Sequence, residues 1–420
     1  MVTLGADGKP LKTIGPTHLV PFPRESQEKF AGRNHVAWHT TDLMDACERF
    51  AGYLATKTPE RGGLEHELLK TMADDLDGMG NNQDVFWSAF TVQAKARGTM
   101  FLLVDMDPLE VGTMADQIAR RMVPSCTMIS PEDVDDFQVG PDGKIDWIEF
   151  DRSMRLDGKY TRVTWRFDRS GWSARKGEDI LVSGEHPCGE CPVLIFTESG
   201  RFPCYGQFSQ LADLSHRLFN ARSELDEILR SQTYSILAYP RPDNQAVDID
   251  QIVATVGTSN MLEYYGSNAP EYVAPPNGPA DTYFRLIEYL EAKIKTVSLN
   301  VESPDQLESG LALQMRFQAL NAALSKWAGR MEDLELRMWT LAVRWLGMTD
   351  AMIPEIRWHR NYMLADVGAE ISILQQMQAG GMPRKATAAQ MKRITSIQFG
   401  GLDQNRLDEI TAEIDEIEAE

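Results

Sequence analysis

Between Gly310 and Gly347 apolar residues recur at Leu313, Phe317, Leu320, Leu324, Trp327, Met331, Leu334, Met338, Leu341 and Trp345, in steps of four and three without a break. That spacing is one face of a continuous helix. At ~1.5 Å per residue the helix is roughly 55 Å long, so it reaches across a whole domain and the other elements must be placed along it. The flanking positions argue against a self-paired coiled coil. One flank reads Arg316, Ala323, Arg330, Arg337 and Arg344, and the other reads Gln314, Asn321, Ala328, Glu335 and Ala342, so only Glu335 offers an opposite charge. From Leu334 onward Leu336, Trp339, Val343 and Leu346 add a second apolar face, which predicts a C-terminal half enclosed on several sides. Gly329 is the position at which a bend is expected.

A chain of 420 residues with 43% hydrophobic and 25% charged residues can bury substantial cores and divide into more than one domain. No apolar run spans a bilayer, and the first ten residues carry neither a basic segment nor an apolar core, so neither membrane insertion nor a secretory signal is expected. A net charge of −20 is the wrong sign for a surface that wraps nucleic acid. Five cysteines, an odd number, fit reduced thiols better than a disulfide scaffold.

Residues 1 to about 34, punctuated by Pro10, Pro16, Pro21 and Pro23, read as an extended arm. Helical spacing follows over 41–57, 64–76 and 84–97, the last with Asn81 and Asn82 as caps, then a buried strand over 99–104 and a helix from Asp107-Pro108 to Arg121. From Cys126 to Phe196 the period falls to two, with turns at Pro141-Asp142-Gly143 and Asp157-Gly158, which predicts one antiparallel meander. A long helix over 209–234 precedes a turn-rich insert at 238–279, with a short helix at 248–254 and strands at 261–265 and 271–273. Helical spacing resumes over 281–297, and a polar break at 298–309 leads into the long helix. A strand at 353–358 and helices over 366–379, 382–394 and 402–418 complete the chain.

Two constellations invite chemistry. The run Gly140 to Phe150 matches the second half of a calcium loop, but Gln138 and Gly140 fall where the first ligands belong, so a turn between strands is the better reading. His186, Cys188, Cys191 and Cys204 supply the residue types of a zinc site without a second compact pair. No phosphate-binding glycine loop, nucleophile elbow or His-Glu-x-x-His motif is present, and the acidic run Asp408 to Glu420 reads as a solvated helix face.

Taken in this order the chain resembles a tailed-bacteriophage portal protein of the siphophage type. The likeness is carried by Cys191 to Phe196 ahead of the helix at 209, by the helix, insert, helix, loop and long-helix succession, by Glu308-Ser309-Gly310-Leu311-Ala312-Leu313, and by Glu355 to Asn361 followed by Gly380-Gly381-Met382 and Thr387-Ala388. The fold it implies is α+β and mostly helical. Its parts would be an N-terminal arm (1–34), a wing (35–208), stem helix 1 (209–237), a clip (238–279), stem helix 2 (280–297), a tunnel loop (298–309), a spine helix with a wing strand (310–361) and a crown (362–420).

The resemblance further implies a homo-oligomeric ring of about twelve subunits at one capsid vertex. Such a ring is the channel for double-stranded DNA during packaging and ejection. It docks the terminase large subunit and the head-tail connector, and meets major capsid and scaffolding proteins. It has no catalytic centre, cofactor or metal, belongs to the virion and assembles in the host cytoplasm. On this chain the DNA-channel loop would be Asn300, Val301, Glu302, Ser303 and Gln306, and the connector-binding clip would present Tyr264, Tyr265 and Tyr272. The subunit interface would use Arg316, Arg330, Arg337 and Arg344, unless these arginines pair within their own wing. The alternatives are another phage structural protein, capsid or connector, and a zinc-dependent enzyme built around Cys188 to Cys204.

Overall fold

The computed structural model describes residues 19–23, 25–38, 40–106, 120, 122–156, 159–202, 204–233, 236–241, 261–265, 269–273, 278–298, 310–362, 367–399 and 409–415. The fold is α+β, in two units that divide between Arg360 and Asn361. The expected helices at 107–121 and 248–254 and the loop at 298–309 fall almost wholly outside the described residues. Among the described residues no helix is long and apolar enough to cross a membrane.

The first unit is layered around a three-stranded sheet. Its central strand β2 (Thr99–Asp105) pairs antiparallel with β3 (Ser125–Ile129) and β9 (Val193–Thr197). Residues 99–104 are all buried, which is why this strand reads as a continuous apolar run. On one side Phe101 and Leu103 join Ile148, Phe150, Phe167 and Trp172 in one core with a five-stranded meander. The meander comprises β4 (Val134–Val139), β5 (Ile145–Leu156), β6 (Lys159–Asp168), β7 (Gly171–Lys176) and β8 (Asp179–Glu185). On the other side Phe196 meets Phe90 of α4 (Gln83–Arg97) at 5.5 Å and Trp327 of the long helix at 5.0 Å. The single meander expected from 126 to 196 is therefore two sheets. Its last strand leaves the meander to pair with β2.

The long helix α7 (Gly310–Trp345) has the predicted extent, 36 residues. Trp327, Met331, Leu334, Met338, Trp339, Leu341 and Val343 are buried, and the Trp345 indole N–H donates to Val104 O at 2.9 Å. Leu336, assigned to the second apolar face, is instead exposed. The helix is unbroken through Gly329, where a Cβ would overlap Nη1 of Arg360. A two-stranded ribbon of β1 (Glu60–Gly62) and β13 (Glu355–Arg357) crosses α7. It is tied down by buried Glu335, which accepts from Arg61 Nε at 2.6 Å and from the Trp358 indole at 2.7 Å.

Helices α5 (Ser209–Thr233) and α6 (Gly278–Val297) lie side by side, with Leu218, Ala221, Leu225, Leu290 and Ile294 buried. Arg222 pairs with Glu291 at 2.8 Å, and the Tyr283 hydroxyl donates to Glu224 at 2.6 Å. The segment between them forms a small sheet in which β10 (Ile236–Arg241) runs parallel to β11 (Met261–Tyr265) and antiparallel to β12 (Glu271–Val273). β10 was not expected, because Pro240 and Pro242 masked it.

The extended arm gives way at Ser26, whose hydroxyl caps helix α1 (Gln27–Val36) by accepting from Lys29 N. This segment is clamped to α5. Buried Arg33 holds Glu25 at 2.8 Å and the Ser223 hydroxyl at 3.1 Å, and Val20 N donates to the Asn220 side chain at 2.8 Å. The Arg33 hydrogen bonds hold Glu25 below the ordinary carboxylate value of 4.5. A lowered pKa stabilises the clamp above the unfolded value, and that stability is lost as pH falls through the folded one. Protection of the α1 amides should therefore fall on acidification of the wild type and start low in Glu25→Gln at neutral pH. Identical protection in the two proteins would show that Glu25 does not hold the clamp.

In the second unit α8 (Val367–Ala379) and α9 (Arg384–Phe399) form a hairpin closed by Gly381 at positive φ, and Lys392 pairs with Asp415.

Candidate functional site

The junction that sets the start of α5 is built on a buried lysine. Lys95, on the last turn of α4 and 1% exposed, lies 4.1 Å from the Phe50 ring, 4.8 Å from Trp327 and 5.0 Å from Phe208. Phe50 belongs to α2 (Asp42–Ala55), so the ammonium gathers side chains from α2 and α7 and from the entrance to α5. It pairs with Glu198 and donates to Gln207 Oε1 at 2.8 Å, while Glu198 also accepts from Gln207 N at 2.7 Å. Burial pulls the lysine pKa down, and the Glu198 carboxylate opposes that shift. α4 ends at Gly98, whose φ of +78° is left-handed and which lies against the Tyr205–Gly206 backbone. The chain entering α5 is thus fixed to α4 by one ion pair and one pair of glycines. Sequence reasoning missed this pair because its members lie on different elements; a lysine on a predicted buried helix face was the available signal.

The arginine seam on α7 divides. Arg344 pairs with Glu190 at 2.5 Å and donates to Cys188 O at 3.3 Å, so it takes the intrachain alternative. Arg330 and Arg337 are half-buried and have no ion-pair partner among the described residues. Both line a cleft of about 220 Å³ with Ile195, Phe202 and Asp333. The side chain of Arg316 and all of Asn300, Val301, Glu302, Ser303 and Gln306 lie outside the described residues. Tyr264 and Tyr265 sit on β11, opposite Pro240 and Arg241, whereas Tyr272 sits on β12, opposite Leu237. The small sheet therefore separates the three tyrosines onto two edges.

The cysteine set does not assemble. His186 Nε2 lies 2.9 Å from Asp168 O, Cys191 donates to Phe167 O at 3.7 Å, and Cys204 accepts from Ser199 N at 3.4 Å. Burial pushes the Cys188 and Cys191 thiols up to about 12, which disfavours the thiolate that zinc or nucleophilic chemistry needs. Among the described residues no three His, Cys, Asp or Glu converge as a metal site. The calcium-like run is a hairpin turn with Gly143 at φ +76°, and its Asp142 and Asp146 hold Arg169.

No family model and no curated protein matches the chain. Among solved structures it is similar to a chain of the virion of a native gene transfer agent particle (13% identical, covering 81% of this chain and 85% of that one, TM-score 0.44). It is also similar to a chain of the neck of a native gene transfer agent particle computed with C12 symmetry (14%, 81% and 85%, 0.44). A third is an HK97-family phage portal protein from Corynebacterium diphtheriae (9%, 77% and 96%, 0.40). At these scores the functional reading rests on the chain's own residues.

Proposed function

We propose that this chain is a portal-type protein, copies of which close into a ring that conducts double-stranded DNA at one vertex of a phage or phage-like capsid. The observation that carries the reading is the α5–α6 hairpin, interrupted by a small sheet and feeding a 36-residue helix braced against a wing-like β core. Leu229, Phe284 and Tyr289 are exposed on that hairpin, a surface suited to neighbouring copies. The net charge of −20, repeated around a ring, repels the DNA backbone and suits a duplex that must slide rather than bind.

In this reading Asn300, Val301, Glu302, Ser303 and Gln306 face the channel, while Tyr264, Tyr265 and Tyr272 offer connector contacts on two edges. Arg316, Arg330 and Arg337 face the next subunit, and Arg344 is a wing brace. The partners are the terminase large subunit, a head-tail connector, and major capsid and scaffolding proteins, with assembly in the host cytoplasm and a final place in the virion. Single-particle imaging with mass measurement tests it: the expected result is rings with a central hole and a mass of about twelve 47.2 kDa subunits. Small closed oligomers without a channel would overturn the reading.

A further inference from the structure

Arg330 and Arg337 stand seven residues apart on one side of α7 and face the same cleft. Several of their basic neighbours are neutralised within the chain. Arg344 and Lys144 share Glu190, Arg169 holds Asp142 and Asp146, and Arg360 holds Glu332. Asp333, exposed between the two arginines in sequence, pairs with neither. Arg330 and Arg337 thus bring positive charge to this cleft with no ion-pair partner among the described residues. It is also positioned in advance: Gly200, at φ +77°, has no Cβ where the Arg330 guanidinium lies, so Nη2 rests directly on the loop backbone. The remaining walls are mixed: Ile195, Val139 and half-exposed Phe202 are apolar, while Thr197 and Asp333 are polar.

We propose that this cleft receives a carboxylate side chain, with an apolar neighbour, from a second copy of this chain. The proposal rests on the ring reading above and names the contact that would hold neighbouring copies. A guanidinium held in place with no ion-pair partner among the described residues matches a carboxylate in geometry and charge. The chain carries 62 acidic against 42 basic residues, so a second copy presents carboxylates in excess. DNA phosphate is disfavoured by the apolar part of the wall, which gains only when another apolar group covers it. Covering the cleft also removes water from the ion pair and strengthens it.

The test uses the full-length Arg330→Lys variant, which keeps the charge and supplies an amine. Unlabelled and nitrogen-15-labelled chains are mixed, allowed to assemble and treated with a carbodiimide that joins amines to touching carboxylates. Mass spectrometry should find mixed-isotope peptides joining position 330 to an Asp or Glu. Assembled rings that yield only same-isotope links, or none at 330, would overturn the proposal. In parallel, Arg330→Ala/Arg337→Ala should raise the concentration needed for assembly by at least about tenfold with an unchanged monomer melting temperature. Unaltered assembly would overturn the cleft, as would unaltered assembly accompanied by lost DNA retention, which would assign the arginines to phosphate. Failure of the wild type to form rings would sink the portal reading instead, and mixed-isotope links at position 330 would still support the cleft as a contact between copies.

Discussion

Glu198→Ala is expected to destabilise the protein by about 3–5 kcal/mol, whereas Lys95→Met should change its stability by no more than about 1 kcal/mol or raise it. The asymmetry comes from what each change leaves behind. Without Glu198 the Lys95 ammonium keeps one hydrogen bond, to Gln207, inside a site walled by Phe50, Phe208 and Trp327. Without Lys95 the Glu198 carboxylate still accepts from Gln207 N, and with 12% of its side chain exposed it reaches water. Methionine fills the aromatic site with a flexible apolar chain of similar length. Urea unfolding followed by near-ultraviolet circular dichroism reads both variants. Equal losses would mean that the pair contributes through its attraction rather than through the cost of an unpaired buried charge.

The parts of this fold that were legible are those whose signal is repeated along one element. α7 shows its apolar steps over ten positions, and β2 announces itself because both its faces are covered. Strand β9 looked like a member of the meander because alternation and length do not encode the partner. Its pairing with β2 closes over some ninety residues and is decided by the shared core, not by local pattern. Helix α1 was hidden by the prolines before it, although Ser26 is an ordinary N-cap signal. At the candidate site the arginine seam was visible from periodicity. Which of its members would be neutralised at home was not, because Glu190 lies more than 150 residues from Arg344. Lys95 and Glu198, separated by 103 residues, are hidden for the same reason.

Two glycines show how far the same residue type can differ in consequence. Gly329→Ala should change stability by no more than about 1 kcal/mol. Replacing glycine inside a helix gains about 1 kcal/mol in propensity, and the new Cβ displaces only the end of the Arg360 side chain, which is 46% exposed. The lost Arg360–Glu332 pair is a surface contact of small value. Gly98→Ala should cost about 2–5 kcal/mol, the sum of holding alanine at a left-handed φ and of overlap with backbone that cannot swing away. A Cβ there would come within 2.5 Å of Tyr205 C and 2.6 Å of Gly206 Cα. Gly98 O also accepts from Glu198 N at 2.9 Å, so the displaced backbone would carry the Lys95 partner with it and shift the entrance to α5. Thermal unfolding of the two variants separates the cases. If Gly98→Ala melts with the wild type, the entrance to α5 is free to move, and the junction does not set the direction of the hairpin. If it melts well below the wild type and its ring yield falls with it, the packing of α4 against the 205–206 backbone is what aims the hairpin.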